Sequence, residues 1–442
     1  MSAPAQAPRR TLVPPLLRDR VFRRYWGAST ISMFGDQVSG LALPLAAVLV
    51  LGAGAAQMGY LVALEWLPSL LFGLHLGAWV DRVGHRRIMM IGADLGRALL
   101  FSSIPVCYAL GVLTLAQLYA VTFAAGTLSI LFNVADGTLF VSIVAPEQYV
   151  DGQSLIYGSR AMSFLGGPSI AGVLVQLVSA PVTVLCDAVS FVGSAFFLWR
   201  IRPAEPPASA PGEGSVLAGV RFIAGNAIIR STIIAFAAIN FFNLMFNALY
   251  LLYAVHVLHI RPGVLGVILG IAAGGALLGS LVTKRVTVRI GVGLTCVLGC
   301  LLFTAPLLLW PLAAGVGRPV MLVMVLAGEF GCGFGVMMLD ISGGAIFAAV
   351  IPDTLRSRVT GAFNAANYGT RPAGALLGGL LGTVLGLRSA MWIATGGGVL
   401  SCLLLLPTPL PRYRMPGGDD SGVAKVAPGD NVREDSLATG EK

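Results

Sequence analysis

Ionisable side chains inside long apolar runs are the residues of this chain best suited to chemistry. A charged side chain at the bilayer centre costs from ~2.5 kcal/mol upward, so such residues mark ion paths or gates. Asp36 lies in the first apolar run and Glu65 in the second, with no basic residue near Glu65 in the sequence. We predict Asp36 and Glu65 as proton-coupling residues and Glu329 as a third candidate. A helix–helix hydrogen bond made by a protonated acid is the alternative for each.

A short charged segment joins the second and third apolar runs and spans residues 77–87, GAWVDRVGHRR. Its first glycine permits close helix approach, its second supplies a turn, and its aspartate can hold a partner arginine near a helix end. Asp94 and Arg97 are three residues apart on one helix face and can partly neutralise each other. We predict a gating network of Gly77, Asp81, Arg82, Gly84, Arg86, Arg87, Asp94 and Arg97. A simple basic membrane anchor is the alternative for Arg86 and Arg87.

The fifth apolar run contains Gly167, Pro168 and Gly172. Pro168 removes a backbone donor, and the glycines permit a bend or a close helix contact. Generic packing of small residues is the alternative.

Polar residues in the seventh apolar run share one helix face, because they are spaced three and four apart. With Gln37, which follows Asp36, they could line a cavity. Polar packing between helices is the alternative. The predicted substrate-cavity residues are Gln37, Asn240, Asn243, Asn247 and Tyr250.

Twelve apolar runs must position these residues. The chain has 442 residues, of which 56% are hydrophobic and 11% charged; a soluble domain carries about 25% charged residues. Each run is near or above the ~20 residues that a helix needs to cross a bilayer, and continuous apolarity excludes barrel strands. The runs are 26–51, 58–80, 88–110, 115–144, 155–178, 182–199, 231–255, 264–283, 292–310, 320–351, 359–385 and 389–406.

The fold class predicted is therefore an all-α integral membrane protein, with twelve transmembrane helices in two six-helix bundles around a central cavity. Arginines concentrate in alternate loops, and the opposite loops hold only Arg261, Arg318 and Arg388. This bias predicts that both termini are cytoplasmic. Arginine dominates over lysine, and alanine and glycine are abundant, which favours a bacterial source and hence an inner-membrane location. The predicted parts are an N-terminal segment 1–20, a bundle 21–201, a linker 202–229 with an amphipathic piece, a bundle 230–410 and a disordered tail 411–442.

The two halves read as repeats. Gly77, Arg82 and Arg87 match Gly279, Lys284 and Arg289 at an offset of 202, and Val144 matches Val350 at an offset of 206. Under the first offset Thr283 replaces the motif acid, which predicts a weaker gate in the second half.

Enzyme and nucleic-acid functions are disfavoured. The sequence contains no P-loop, Gly-x-Ser-x-Gly, His-Glu-x-x-His or Cys-x-x-Cys motif. We therefore predict a non-enzymatic protein without cofactor or metal. The net charge of +9 comes from short clusters rather than one basic face, so nucleic acid is not a predicted partner.

The charged segment 77–87 resembles the cytoplasmic signature of the major facilitator superfamily, and the likeness extends over about residues 20–410. The Gly167, Pro168 and Gly172 motif resembles that of the drug–proton antiporter branch. Short phrases, FRRYW at 22–26 and FGD at 34–36, are similar to the enterobactin-exporter and macrolide-efflux group. This resemblance implies export of a bulky, mostly apolar or amphipathic metabolite.

These residues and the resemblance together predict proton-coupled efflux of a small amphipathic compound, such as a drug, siderophore or secondary metabolite. The expected partners are this small-molecule substrate, protons and membrane lipid, with the protein acting as a monomer. Two alternatives stay open. One is a proton-coupled uptake symporter, and the other is a non-transporting receptor or scaffold on the same fold.

Overall fold

Twelve long helices account for most of the chain in the computed structural model, which describes residues 14–202, 216–352 and 355–414. No strand occurs in these ranges. The first half contains α1 (Arg20–Leu49), α2 (Ala55–Val83), α3 (Arg86–Ala109), α4 (Leu115–Ile143), α5 (Tyr149–Val178) and α6 (Leu185–Trp199). The second half contains α7 (Ala227–His256), α8 (Pro262–Ile290), α9 (Val292–Thr304), α10 (Arg318–Val350), α11 (Arg356–Val384) and α12 (Leu387–Leu403).

Short helical pieces extend or connect these twelve. A turn at Ala180–Thr183 precedes α6, and turns at Ala305–Leu308 and Leu309–Leu312 continue α9. The predicted amphipathic piece is a helix at Val216–Gly225 that packs against α11. The rest of the linker, 203–215, and most of the tail lie outside the described residues.

Nine helical segments of the described chain are long and apolar enough to cross a membrane. α2, α11 and α12 complete the set of twelve, and α11 is the least apolar because it carries Arg371 and several asparagines and glycines. The predicted all-α membrane architecture is confirmed.

A single register relates the two halves. α1 and α7, α2 and α8, and α5 and α11 each begin 207 residues apart. Residues with positive φ recur at the same offset, namely Gly52 with His259, Gly84 with Gly291, and Ser179 with Gly386. The backbone of one half, including three of its tight turns, is therefore largely repeated in the other, although α10 begins only 203 residues after α4 and Gly315 follows Gly111 by 204.

This register corrects the offset of 202 predicted for the charged segment. Lys284 and Arg289 do not lie in a loop, because α8 continues to Ile290. The counterpart of Asp81 is Val288 rather than Thr283. The offset of 202 therefore pairs basic residues whose positions differ by five residues in the register of the helices.

Arginine contacts bring the starts and ends of helices together at one face. Arg24 Nη1 donates to the Arg200 carbonyl at 2.7 Å, and Arg87 Nη1 donates to the Ile201 carbonyl. We call the face with the start of α1 and the end of α6 the terminal face, and the opposite one the distal face. The buried apolar clusters nearest the terminal face each belong to one half, whereas the largest cluster joins both halves near the distal face. The two halves are thus joined at the distal face.

Glycines make these distal contacts close. A Cβ on Gly172 of α5 would lie 2.5 Å from the Pro262 carbonyl oxygen of α8 and 3.0 Å from Gly266 Cα. At the second crossing, a Cβ on Gly379 of α11 would lie 2.8 Å from the Ala55 carbonyl oxygen and 2.9 Å from Gly59 Cα of α2. The repeat register relates these two crossings, so each half contributes the same pair of contact helices.

Candidate functional site

A cavity of about 410 Å³ lies among the six helices of the first half. Its aromatic wall is formed by Trp66, Phe101, Phe132 and Phe191. The ionisable residues that line it are Asp36, Glu65, Arg97, Asp136, Arg160 and Asp187. Four carboxyls and two guanidiniums therefore face one membrane-embedded space, so the lining is acidic unless protons or a bound cation compensate it.

Arg97 is the centre of a buried network that we call the N-half network, made of Asp36, Asp94, Arg97 and Asp187. Arg97 Nη2 donates to Asp94 Oδ1, and both residues are almost fully buried. The Arg97 guanidinium also lies 4.1 Å from the Phe191 ring centroid and 4.6 Å from that of Phe132. The predicted pairing of Asp94 with Arg97 is confirmed, and aromatic faces supply the remaining favourable contacts of the cation.

Asp36 faces both this network and the cavity. Its Oδ1 lies 3.9 Å from Arg97 Nη1, and 48% of its side chain is exposed. Asp187 of α6 lies against Gly35, where a Cβ would overlap its carboxylate, and accepts a hydrogen bond from Ser190 Oγ at 3.0 Å. The missing side chain at Gly35 therefore allows α6 to bring a second carboxyl next to Asp36.

Asp136 and Arg160 lie in the part of the cavity nearer the terminal face. Asp136 Oδ1 accepts a hydrogen bond of 2.7 Å from the Tyr25 hydroxyl. Arg160 is exposed and lies within electrostatic range of Asp36 and Asp136. No local sequence pattern indicates the Tyr25 contact, because 111 residues separate its partners.

A second group of side chains, which we call the inter-half cluster, consists of Glu65, Trp66, Asn240, Tyr368 and Arg371. The Arg371 guanidinium of α11 lies 4.0 Å from the Trp66 ring centroid of α2, and the rings of Trp66 and Tyr368 stack at 6.2 Å. Arg371 Nη2 donates to Asn240 Oδ1 at 3.4 Å. Glu65 is exposed in the cavity and lies within electrostatic range of Arg371. The fold thus supplies Glu65 with a basic neighbour from the other half.

Glu329 occupies a different environment from Asp36 and Glu65. It is 7% exposed and accepts a hydrogen bond from Trp310 Nε1 at 3.1 Å. Tyr250 packs on the same tryptophan and stacks on Phe246 at 5.9 Å. Glu329 is not among the residues that line the 410 Å³ cavity.

The other predicted cavity residues also lie outside that lining. Gln37 packs against Gly167 of α5, where a Cβ would overlap the glutamine side chain. Asn240 donates to the Phe236 carbonyl at 2.9 Å, while Asn243 is half-buried and Asn247 is exposed. Their contact with a substrate stays a prediction. Gly167, Pro168 and Gly172 serve the α1–α5 and α5–α8 contacts, in agreement with a packing role for this motif.

The charged segment forms the end of α2, a two-residue turn and the start of α3. Gly84 adopts the left-handed conformation at φ +70°, as predicted for the turn. Arg86 is buried and Arg82 is exposed, while Arg87 contacts the end of α6. The surroundings of Gly77 and the side chain of Asp81 lie outside the described part of the structure, so the gating role of both residues stays a prediction.

No group of three or more His, Cys, Asp or Glu side chains within the described ranges is arranged to hold a metal ion. The acidic residues of the cavity are instead spread over several helices and interleaved with arginine, serine and aromatic side chains.

The sequence matches the family model of the Major Facilitator Superfamily over residues 25–369. The chain belongs to this superfamily and is a transporter rather than an enzyme. A comparison with curated protein sequences finds no match.

Solved structures share the fold at low sequence identity. A bacterial homologue of the iron transporter ferroportin in its inward-facing state has a TM-score of 0.72 and 16% identity, covering 89% of this chain and 99% of that one. A ferroportin homologue in its outward-facing state has a TM-score of 0.54 and 16% identity, covering 87% and 98%. The nucleoside transporter NupG has a TM-score of 0.70 and 13% identity, covering 89% and 99%. These likenesses show that the chain has the fold of those transporters.

Proposed function

We propose that this transporter exports a small amphipathic compound in exchange for protons across a bacterial inner membrane. The terminal face is the cytoplasmic one, because the loops there carry nearly all the arginines. The substrate is a drug, siderophore or secondary metabolite, and the protein works as a monomer.

One observation supports this proposal above the others. Asp36 and Glu65 are both exposed to one cavity inside the membrane-spanning bundle, where the cation nearest Asp36, Arg97, is already paired with Asp94. Carboxyls kept in such a place at a cost of ~2.5 kcal/mol or more are typical of proton paths. The aromatic wall beside them offers apolar surface to an amphipathic molecule.

The proposed cycle uses the two arrangements of the halves. With the distal face closed, protons leave Asp36 and Glu65 for the cytoplasm, and the substrate enters against Trp66, Phe101 and Phe191. The halves then rock so that the two glycine crossings separate and the distal face opens. Reprotonation from outside displaces the substrate and allows the return.

The test begins with a strain lacking the gene, challenged with a panel of antibiotics and siderophores, to find a compound whose retention increases. Uptake of that compound is then measured in inverted vesicles under an imposed pH gradient. Accumulation inside the vesicles supports export, whereas accumulation only in right-side-out vesicles contradicts it. Asp36→Asn and Glu65→Gln should each abolish gradient-driven accumulation while the protein still reaches the membrane.

Asp151→Asn is the matched control, because this carboxyl is exposed at the start of α5 and does not line the cavity. It should keep the wild-type rate. If both cavity variants also keep full gradient-driven transport, the proton-coupling assignment is wrong.

A further inference from the structure

Arg371 lies on the boundary between the two halves. Its guanidinium packs on Trp66 of the first half at 4.0 Å and on Tyr368 of its own helix at 5.4 Å, measured to the ring centroids. Cation–π contacts of this kind hold an arginine in place without neutralising its charge. Arg371 thus places a positive charge beside the α2–α11 crossing, whereas its counterpart near the α5–α8 crossing is the uncharged Phe164.

Two carboxyls act electrostatically on this guanidinium, and neither forms a direct ion pair with it within the described residues. Arg371 is within electrostatic range of Glu65 in the first half and of Asp340 in the second. The ion pairs found within 4 Å in the described parts of the chain both involve Arg97 instead. Arg371 Nε is buried and has no acceptor there. The arginine thus has an unused donor and lies within electrostatic range of the exposed Glu65 side chain.

We propose that Arg371 is a positioning residue for Glu65. Its guanidinium balances the ionised Glu65 carboxylate while no transported proton is bound there. This inference rests on the proposed proton-coupled function. When Glu65 is ionised, its attraction to Arg371 holds α2 against α11 and keeps the distal face closed. A proton on Glu65, or a substrate that displaces the guanidinium, removes this attraction and permits the halves to move. An empty transporter therefore stays closed at the distal face and does not leak protons.

Other ionisable groups also face Glu65 and contribute to any dependence on pH. Arg371 of α11 and Tyr250 of α7 are within electrostatic range of it, and Tyr368 of α11 stacks on the adjacent Trp66. Asp36 of α1 and Asp136 of α4 line the same cavity. Asp340 and Glu329, both of α10, act indirectly, the first through Arg371 and the second through Tyr250. The test must therefore separate the effect of Arg371 from theirs.

A distance between spin labels on the terminal ends of α5 and α8 reports the arrangement of the halves without a known substrate. Val150→Cys and Val288→Cys are suitable sites, because the two valines are 78% and 79% exposed. The labels are placed in a variant whose six native cysteines are replaced, and the reconstituted protein is titrated from acid to alkaline pH. We expect the long distance to prevail at high pH, with a single main midpoint.

Glu65→Gln should remove most of this pH dependence. Arg371→Gln should likewise flatten the titration and leave the short distance populated at high pH, because no cation remains to hold the ionised carboxylate. Arg371→Lys should stay close to the wild-type midpoint, which distinguishes charge from packing. Arg388→Gln is the matched control, since this exposed arginine of the same half contacts the Ala314 carbonyl and not Glu65.

The outcomes separate the two proposals. A wild-type protein whose distance does not change with pH contradicts proton coupling at Glu65 and this inference with it. A normal wild-type titration that Arg371→Gln leaves unchanged contradicts this inference alone. An Arg371→Lys titration as flat as that of Arg371→Gln also contradicts it, because the effect would then come from packing.

Discussion

The two halves of this transporter have the same backbone and different chemistry. When the halves are aligned with an offset of 207 residues, every ionisable residue of the first-half cavity corresponds to a neutral residue in the second half. Asp36, Glu65, Arg97, Asp136, Arg160 and Asp187 correspond to Asn243, Ala272, Thr304, Gly343, Asn367 and Ala394. The glycine crossings, by contrast, are present in both copies. Tight crossings thus belong to the fold, and this set of cavity charges belongs to one half.

This difference separates what the fold needs from what the function needs. Each ionised side chain near the bilayer centre costs a helix at least ~2.5 kcal/mol. The second half shows that six helices pack in this topology without the N-half network. The charges of the first half are therefore not required by the architecture, which supports the proposal that they act on an ion or a substrate.

The largest effect that sharpens this comparison is expected at Arg97. Arg97→Gln leaves the fully buried Asp94 without its cation, which should destabilise the protein by about 3–5 kcal/mol. The counterpart change Thr304→Val removes a hydroxyl that donates to the Cys300 carbonyl of the same helix and contacts Cys402 Sγ at 3.3 Å, so a loss of about 1 kcal/mol is expected. Thermal unfolding of the purified proteins in detergent measures both.

The double variant Asp94→Asn with Arg97→Gln is the control for this test. It should recover most of the stability, since no uncompensated charge is left buried at this pair. Equal stability of Arg97→Gln and the wild type would show that Arg97 does not compensate a buried charge on Asp94.

The sequence predicted the elements well and the cross-chain contacts poorly. Continuous apolar runs located all twelve helices, and Gly84 located a turn. Asp94 and Arg97 were paired correctly because helical spacing alone brings them together. Contacts such as Trp66 with Arg371 depend on how α2 crosses α11, and no local pattern encodes that crossing. The sequence also predicted the wrong repeat offset. Basic residues can occupy any of several positions near a helix end, so matching them does not fix the offset, whereas matching the helix starts does.

The two glycine crossings should respond alike to substitution, and the expected effect is smaller than that at Arg97. Gly172→Ala and Gly379→Ala each place a methyl group within 2.5–2.8 Å of a backbone carbonyl oxygen of the other half. Backbone atoms cannot rotate away, so each variant should lose about 1–3 kcal/mol of stability. Gly274→Ala is the matched control, because no atom lies within 4 Å of the added Cβ, and it should be neutral or slightly stabilising. Sensitivity at only one of the two crossings would show that the halves do not share this contact.

The smallest expected effect concerns one hydrogen bond at the terminal end of the cavity. Tyr25→Phe keeps the ring contacts of this fully buried residue with Phe22 and Phe140, at 6.3 Å between centroids, and removes only the hydroxyl that donates to Asp136. Hydrogen bonds to charged groups contribute about 1.5–3 kcal/mol. A loss at the lower end of this range is expected, because Asp136 is also close to Arg160 and lies beside the cavity.

The counterpart of Tyr25 is Thr232, whose hydroxyl donates to the Ile228 carbonyl of its own helix at 2.8 Å. Thr232→Val should therefore cost about 0.5–1 kcal/mol, as for a neutral intrahelical bond. In an Asp136→Asn background, Tyr25→Phe should cost much less than it does in the wild type, since a neutral amide accepts the bond more weakly. If Tyr25→Phe and Thr232→Val lower the unfolding temperature equally, and Asp136→Asn does not alter the cost of losing the tyrosine hydroxyl, then Asp136 does not carry the charge that distinguishes the first half from the second.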